Sequence, residues 1–442
     1  MKKYARILSM ATVATLTATS LTACGNGGDT PTNADGAVVV DFWHSSSGAA
    51  GQTLQELVDQ FNEEHKGEIE ILASYQGDYG DSISKFVASV QTGDLPALLQ
   101  ANDVQTRYLK DSGLALPAQD LAEEDESYDF SVLIPAVANY YTMDDKVFSM
   151  PAMVSQPALF TNDTLLAEAG VDPESLTTLD GLLDAVEQIH EATGRAGLTF
   201  HQSGWYMEQT MSMLGNEFCL PENGVGAEQP TEFDLTNPEL VSTWTRIGEL
   251  YDSGAIHNPG NDGSAATGAF LSQEAAIQMN SSSNYGNVAE ANLDWDWSIR
   301  SLPRDTAEAG AVPGGNSLWA IAEGTSEEEQ AAAWEFMKFI GSDESQMTIF
   351  QETGYLPTTS SAAENLTDLT PQHESLLDQL TSTPVNTVTA GCHSGALNDA
   401  RTSYGEAMST IANGANADEA LQTAKEGADQ SITSYNERAG NQ

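Results

Sequence analysis

Positive charge is what this 442-residue chain has least of: 16 Lys and Arg stand against 65 Asp and Glu, a formal charge of −49 at pH 7. A surface of that sign repels phosphate backbones, which excludes nucleic acid as a partner. It keeps the chain hydrated and soluble, and it fits a saline setting. Past the first 24 residues, no segment approaches the roughly 20 apolar residues of a membrane span. None of the seven histidines (44, 65, 190, 201, 257, 373 and 393) sits at zinc-ligand spacing. There is no Gly-x-Ser-x-Gly elbow, phosphate loop or dinucleotide fingerprint. Neither a metal nor a cofactor is expected. The many acids offer chance carboxylate pairs, so glycoside hydrolysis stays open on composition alone. The run Asp120, Glu123, Glu124, Asp125 and Glu126 reads as a solvated loop rather than a metal site. No period of 20–50 residues marks a repeat.

The N-terminus is informative. Lys2, Lys3 and Arg6 precede an apolar stretch from Ile7 to Leu21 that ends in Leu21-Thr22-Ala23-Cys24. A short apolar region ending in small residues is a secretory signal, here 1–23. A Cys at the cut resembles the lipobox of bacterial lipoproteins, which implies a diacylated Cys24 and a lipid anchor. A plain cleaved signal with a chance Cys is the alternative. Gly25-Asn26-Gly27-Gly28 opens a flexible tether over 24–36. The protein is thus expected outside the cell membrane, lipid-anchored to its outer face. Loss of the signal removes three positive charges and leaves −52. Cys219 and Cys392 are then an even pair in an oxidising setting, either a disulfide or two separate thiols.

A mature chain of about 420 residues exceeds one core, so two domains are expected. Ala37 to Trp43 reads as a buried strand. Leu54, Leu57, Val58 and Phe61 follow at helical spacing, then a strand over 68–75, a helix through Ile83, Phe86 and Val90, and a strand over 95–99. This β-α-β-α-β order predicts an α/β fold with a parallel sheet. The pattern restarts near Ser149 with a strand over 158–161, a helix over 164–169 and an amphipathic helix through Leu179, Leu182, Leu183, Val186 and Ile189. Ser326 with Glu329 predicts a capping box for a helix over 327–340. The last hundred residues read as mostly helical.

Aromatic and small polar residues gather at predicted element ends, where open α/β sheets bind ligands. Aromatic faces suit C–H surfaces or cations, and hydroxyls suit ligand oxygens. Five motifs recur in order: Phe42-Trp43-His44-Ser45, Tyr75-x-Gly77-x-Tyr79, Thr92-Gly93-x-x-Pro96-Ala97-x-Leu99-Gln100, Gly314-Gly315-x-Ser317-Leu318-Trp319 and Thr353-Gly354-Tyr355-Leu356-Pro357. On these motifs the chain, from about residue 38 to 436, resembles the extracytoplasmic solute-binding proteins of ABC importers. Within that family it is similar to the glycerol-3-phosphate-binding branch.

The resemblance implies two α/β lobes joined by hinge strands around a ligand cleft. Lobe 1 is expected over 37–150 and 285–345, and lobe 2 over 151–284 and 346–442. It implies a monomer that closes on a small molecule and hands it to a membrane permease, without catalysis. Tyr79, Ser155, Ser281, Gly315 and Tyr355 match the family's ligand residues. Trp205 matches the second of two site tryptophans, and Gln202 replaces the other. Asp103 replaces a Glu. His393 replaces the phosphate-binding Arg; Arg401, near the site, could supply a charge, but a helix-surface role is the favoured expectation. Trp43 is a further candidate, partly core and partly ligand-facing. The expected ligand is glycerol 3-phosphate or a glycerophosphodiester such as glycerophosphocholine. An oligosaccharide binder and a lipid-anchored hydrolase are the rival classes. If Cys24 carries the lipid, Cys24→Ser releases the protein into the medium or leaves it unprocessed. A normally processed, membrane-bound mutant on fractionation sinks the lipobox assignment.

Overall fold

The computed structural model describes residues 30–125 and 127–439. Cys24 and the predicted signal lie outside the described residues. Ten strands form two five-stranded sheets. β1 (Val38–His44) pairs in parallel with β2 (Ile69–Tyr75), from Val38 opposite Ile69 to His44 opposite Tyr75. It also pairs in parallel with β3 (Leu98–Asn102). The crossovers are the helices Gly48–Glu64 and Tyr79–Thr92. The first buries Leu54, Leu57, Val58 and Phe61, the stripe expected from their spacing. The second is capped by Asp78, which accepts from Asp81 N, and is stopped by Gly93 at φ 74°.

After β3 the chain adds β4 (Met150–Ser155), β5 (Pro157–Asn162), β6 (Ala196–Thr199), β7 (Ile256–His257), β8 (Ala275–Ser281), β9 (Trp297–Arg300) and β10 (Gly314–Ala320). The sheet orders are β2-β1-β3-β10-β4 and β7-β6-β8-β5-β9. β10 runs antiparallel to β3 and to β4, so the first sheet is mixed rather than all parallel.

Strand pairing moves the expected lobe boundaries. β4 belongs wholly to the first sheet and β5 to the second, so the first crossing is at Gln156, not near 149–151. β9 pairs with β5, which puts 285–300 in lobe 2 and the second crossing between Arg300 and Gly314. The helix Asp343–Thr353 packs on Gly48–Glu64, and Leu356 N donates to Val154 O at 2.8 Å. Residues 346–358 therefore stay in lobe 1. The return to lobe 2 precedes the helix Pro371–Ser382, which packs on β9. These boundaries depend on long-range pairing, which local periodicity does not encode.

Two local expectations also change. Residues 30–36 are not free tether: Val39 N donates to Pro31 O at 2.9 Å, and Asn33 N donates to Ala37 O at 3.0 Å, folding the segment onto β1. The acidic run lies largely on a helix, Ala118–Asp125, where Asp125 pairs with Lys338 and accepts from Trp334 Nε1 at 2.8 Å. The capping box of Ser326 and Glu329 forms as expected on Glu327–Ile340.

Cys219 and Cys392 are joined by a disulfide, with Cα atoms 5.5 Å apart and a sequence separation of 173. It ties the short strand Cys219–Leu220 to the segment after the helix Thr387–Ala390. Closing so long a loop restricts the unfolded chain strongly. The double variant Cys219→Ser/Cys392→Ser should lose roughly 2–5 kcal/mol of unfolding free energy, read by urea denaturation. An unchanged midpoint would show that the bond carries no stability.

Candidate ligand cleft

One wall of the cleft is built from the first sheet outward. Gln100, on β3 and 1% exposed, accepts from Ser45 N and Ser46 Oγ, each at 3.0 Å. Its Nε2 donates to Asn316 Oδ1 at 3.1 Å, and Asn316 Nδ2 donates to Tyr79 Oη at 3.0 Å. This relay satisfies buried amides and fixes the phenol at the start of its helix. Burial, with Tyr355 and Asp103 nearby, pushes the Tyr79 hydroxyl well above its ordinary pKa. Tyr355 is raised by the same cause and is hydrogen-bonded to Ser283. Ser283 in turn meets Ser281 Oγ at 3.0 Å.

Asp103 begins a short turn after β3. Its Oδ1 accepts from Val104 N at 2.9 Å. Its other oxygen lies over Gly314, where a Cβ would come within 2.4 Å of Oδ2. Burial raises its pKa; Arg401 opposes the shift and Glu208 adds to it.

The facing wall comes from two helices of lobe 2. Gly204–Leu214 presents Trp205 and Glu208 one turn apart, and Leu397–Ile411 presents Arg401 and Tyr404 likewise. Arg401 Nε and Nη2 donate to the two oxygens of Glu208 at 2.7 and 2.8 Å. Tyr404 Oη donates to Glu208 Oε1 at 2.6 Å. The helices approach closely because residue 204 is Gly: a Cβ there would sit 2.3 Å from the Tyr404 ring. Glu208 holds Arg401 firmly cationic, raising it well above its ordinary pKa against the effect of burial. Between the walls lies a cavity of about 20 Å³, lined by Asp103, Tyr140, Trp205, Glu208, Phe218 and Arg401 among others. That volume holds about one water, so a larger ligand enters only when the lobes part.

Of the residues expected at the site, Asp103 and Trp205 line this cavity. Tyr79 and Tyr355 adjoin Asp103 electrostatically. Ser155 pairs with Gly314, beside Gly315, which sits at φ +112° against Met153 O. Ser281 reaches the group through Ser283 while also capping the turn it begins. Two expected residues lie elsewhere. Trp43 packs with Phe86, Leu99 and Trp319 in a satellite core and donates to Asp41 Oδ2 at 3.0 Å. Strand alternation turns it away from the face of Phe42 and His44. His393 is 2% exposed, lies against Tyr140 and meets Ala390 O at 3.1 Å through Nε2. Burial lowers its pKa to about 4, so it is neutral at pH 7 and does not replace an arginine. Gln202 instead donates to Asn258 Oδ1 at 2.8 Å.

The cation of the cleft is Arg401, expected on a helix surface. Glu208, Gln100 and Asn316 were not among the expected site residues. The available signal was helical spacing: Glu208 follows Trp205 by three, and Arg401 precedes Tyr404 by three.

The family model for bacterial extracellular solute-binding proteins matches residues 56–375. The chain is 28% identical over 421 residues to the sn-glycerol-3-phosphate-binding periplasmic protein UgpB of Escherichia coli K12, covering 91% of this chain and 94% of that protein. The structure of UgpB from Mycobacterium tuberculosis in complex with glycerophosphocholine matches with a TM-score of 0.74 at 18% identity, covering 91% of this chain and all of that one. The sugar-binding protein MalE from Xanthomonas citri matches with a TM-score of 0.75 at 16% identity, covering 92% of this chain and all of that one. Both solved structures share the two-lobe fold. With the family model spanning most of its length, the chain belongs to the bacterial extracellular solute-binding proteins.

Proposed function

We propose that this chain captures a glycerophosphodiester, or glycerol 3-phosphate, by lobe closure and delivers it to the membrane permease of an ABC importer. One observation supports the reading: Asp103 of lobe 1 meets Trp205 and Arg401 of lobe 2 in one cavity, with the phenols of Tyr79 and Tyr355 close to Asp103. Asp103 accepts from glycerol hydroxyls. The two neutral phenols donate to phosphate oxygens, as do the free N–H groups of Arg401. The Trp205 ring covers the ligand's C–H surface. The ligand touches both lobes, so it favours the closed form by its extra affinity for that form. The protein works outside the membrane, held there through a lipidated Cys24, and it makes and breaks no bond. The 28% identity to a protein named for sn-glycerol 3-phosphate supports this ligand class over a sugar.

Calorimetry with glycerophosphocholine, glycerol 3-phosphate and maltotriose tests the ligand. Tyr79→Ala, Trp205→Ala and Tyr355→Ala should each weaken binding of the phosphate ester by about 1 kcal/mol or more. Saturable binding of maltotriose alone would establish the oligosaccharide reading instead. Repeated product formation, beyond one turnover per protein, would make the chain an enzyme.

The depressed pKa of His393, about 4, sets a pH expectation. A base depressed in the folded state stabilises the fold above its unfolded pKa near 6.5, and that contribution is lost as pH falls through 4. Between pH 8 and 6 it stays neutral when folded. Ligand affinity should therefore not strengthen through His393 over that range, and His393→Gln should leave the profile unchanged. A gain at pH 6 that vanishes in the variant would restore His393 as a ligand cation.

A further inference from the structure

Capture as described needs a hydroxyl acceptor and a phosphate donor, which Asp103 and Arg401 supply. Glu208 is a third charged group, and that scheme gives it no task. Its geometry is specific: both carboxylate oxygens receive N–H groups of Arg401, and Tyr404 adds a third bond to Oε1. The side chains of Arg401 and Glu208 are only 21% and 11% exposed, so solvent screens the pair weakly. Among the described residues lining the cavity, Arg401 is the sole cation. Paired with Glu208 it contributes no net charge, and Asp103 brings no positive charge to the group. Two of the five guanidinium donors are spent on Glu208 and Arg401 also bonds Tyr404, so only part of the fork is left for a ligand. The cleft thus keeps hydrogen-bond donors for a phosphate without a spare positive charge. Such a site accepts a singly charged or zwitterionic diester at less cost than a monoester, which carries nearly two charges at neutral pH.

Resting on the proposed ligand class, we propose that Glu208 is a positioning residue that sets the charge specificity of the cleft: it holds Arg401 as a neutral pair and so favours phosphodiesters over phosphomonoesters. Glu208→Gln keeps the shape and an acceptor oxygen but frees the cation. Arg401→Gln does the reverse and leaves Glu208 unpaired.

The test is calorimetric affinity for glycerol 3-phosphate and glycerophosphocholine, in the full lipid-free chain and both variants, with circular dichroism to confirm folding. The wild type should prefer the diester by about tenfold. Glu208→Gln should shift the monoester-to-diester affinity ratio toward the monoester by about tenfold or more, and Arg401→Gln should shift it the other way. A merely structural role would weaken both ligands together and leave the ratio fixed. That result, or a wild-type preference for the monoester, overturns the inference while the proposed function stands. If the wild type binds neither ligand but Glu208→Gln gains glycerol 3-phosphate, the charge role stands and the ligand reading falls. If no form binds either ligand, both fall.

Discussion

The two-lobe architecture turns on one residue that cannot be exposed. Ser155 pairs with Gly314 in the first sheet and Pro157 with Ser281 in the second, so the chain changes sheets across Gln156 alone. Gln156 is fully buried, and its backbone groups and Nε2 are satisfied in place, while its Oε1 has no partner. Its N–H donates to Ser282 Oγ at 3.1 Å, its carbonyl accepts from Ser282 N at 2.7 Å, and its Nε2 donates to Leu376 O at 2.6 Å. Ser282 is therefore fixed by the crossing, and Ser281 and Ser283 on either side of it are aimed at the cleft. The second crossing is held in a similar way. Gln209 takes both backbone groups of Val312, donating to its carbonyl at 3.2 Å and accepting from its N–H at 3.0 Å. The hinge and the ligand walls are thus parts of one hydrogen-bond system.

The cleft faces the general problem of buried charge: an ion taken out of water needs a partner. Arg401 meets that need within lobe 2 through Glu208. Asp103 has no such partner; its carboxylate accepts from the local backbone, the N–H of Val104 and its own N–H, and burial raises its pKa. Gly314 lets it sit against β10, where a side chain would push it out. A ligand hydroxyl offered to Asp103 therefore replaces a bond that closure takes from water. An apolar molecule of the same shape leaves that acceptor unmet, which costs about 1–3 kcal/mol. Selectivity of this kind needs no excess of positive charge, consistent with a chain of net charge −49.

Local structure was legible where a short-range rule governs it. The capping box at Ser326, the stripe Leu54 to Phe61 and the strands β1 and β2 all obey periodicity or capping chemistry. The strand ends that carry the candidate residues were legible for the same reason, and the five motifs in order pointed to the fold. Lobe membership was not: β9 is four residues, Trp-Ser-Ile-Arg, and its place beside β5 is a long-range pairing. Arg401 was legible as a charge near the site, but helical periodicity alone favoured a surface role. Yet Leu397, Ala400, Tyr404, Ala407, Met408 and Ile411 mark a buried face, and Arg401 stands at its edge. Trp43 packs as partial core, as expected, and strand alternation sends Phe42 and His44 to one side and Trp43 to the other.

Closure is held by bonds outside the ligand walls as well. Arg107 Nη1 donates to Gly224 O at 3.0 Å, Tyr435 Oη donates to Asp111 Oδ2 at 3.0 Å, and Asp144 N donates to Val225 O at 3.2 Å, each from one lobe to the other. In the open form these groups bond to water, so each contact adds only about 1 kcal/mol net. Asn139 Nδ2 adds a bond of the same kind to Asn386 O at 2.9 Å, and contacts of this size leave open and closed forms within reach of a ligand's differential affinity. Apparent affinity then scales with the fraction of closure-competent protein, so these bonds tune it without touching the ligand. In the proposed scheme they act equally for every ligand that fits, and discrimination falls to Asp103, the phenols of Tyr79 and Tyr355, and the paired Arg401. Strength of binding and choice of ligand are thereby assigned to different residues of one hinge-coupled structure.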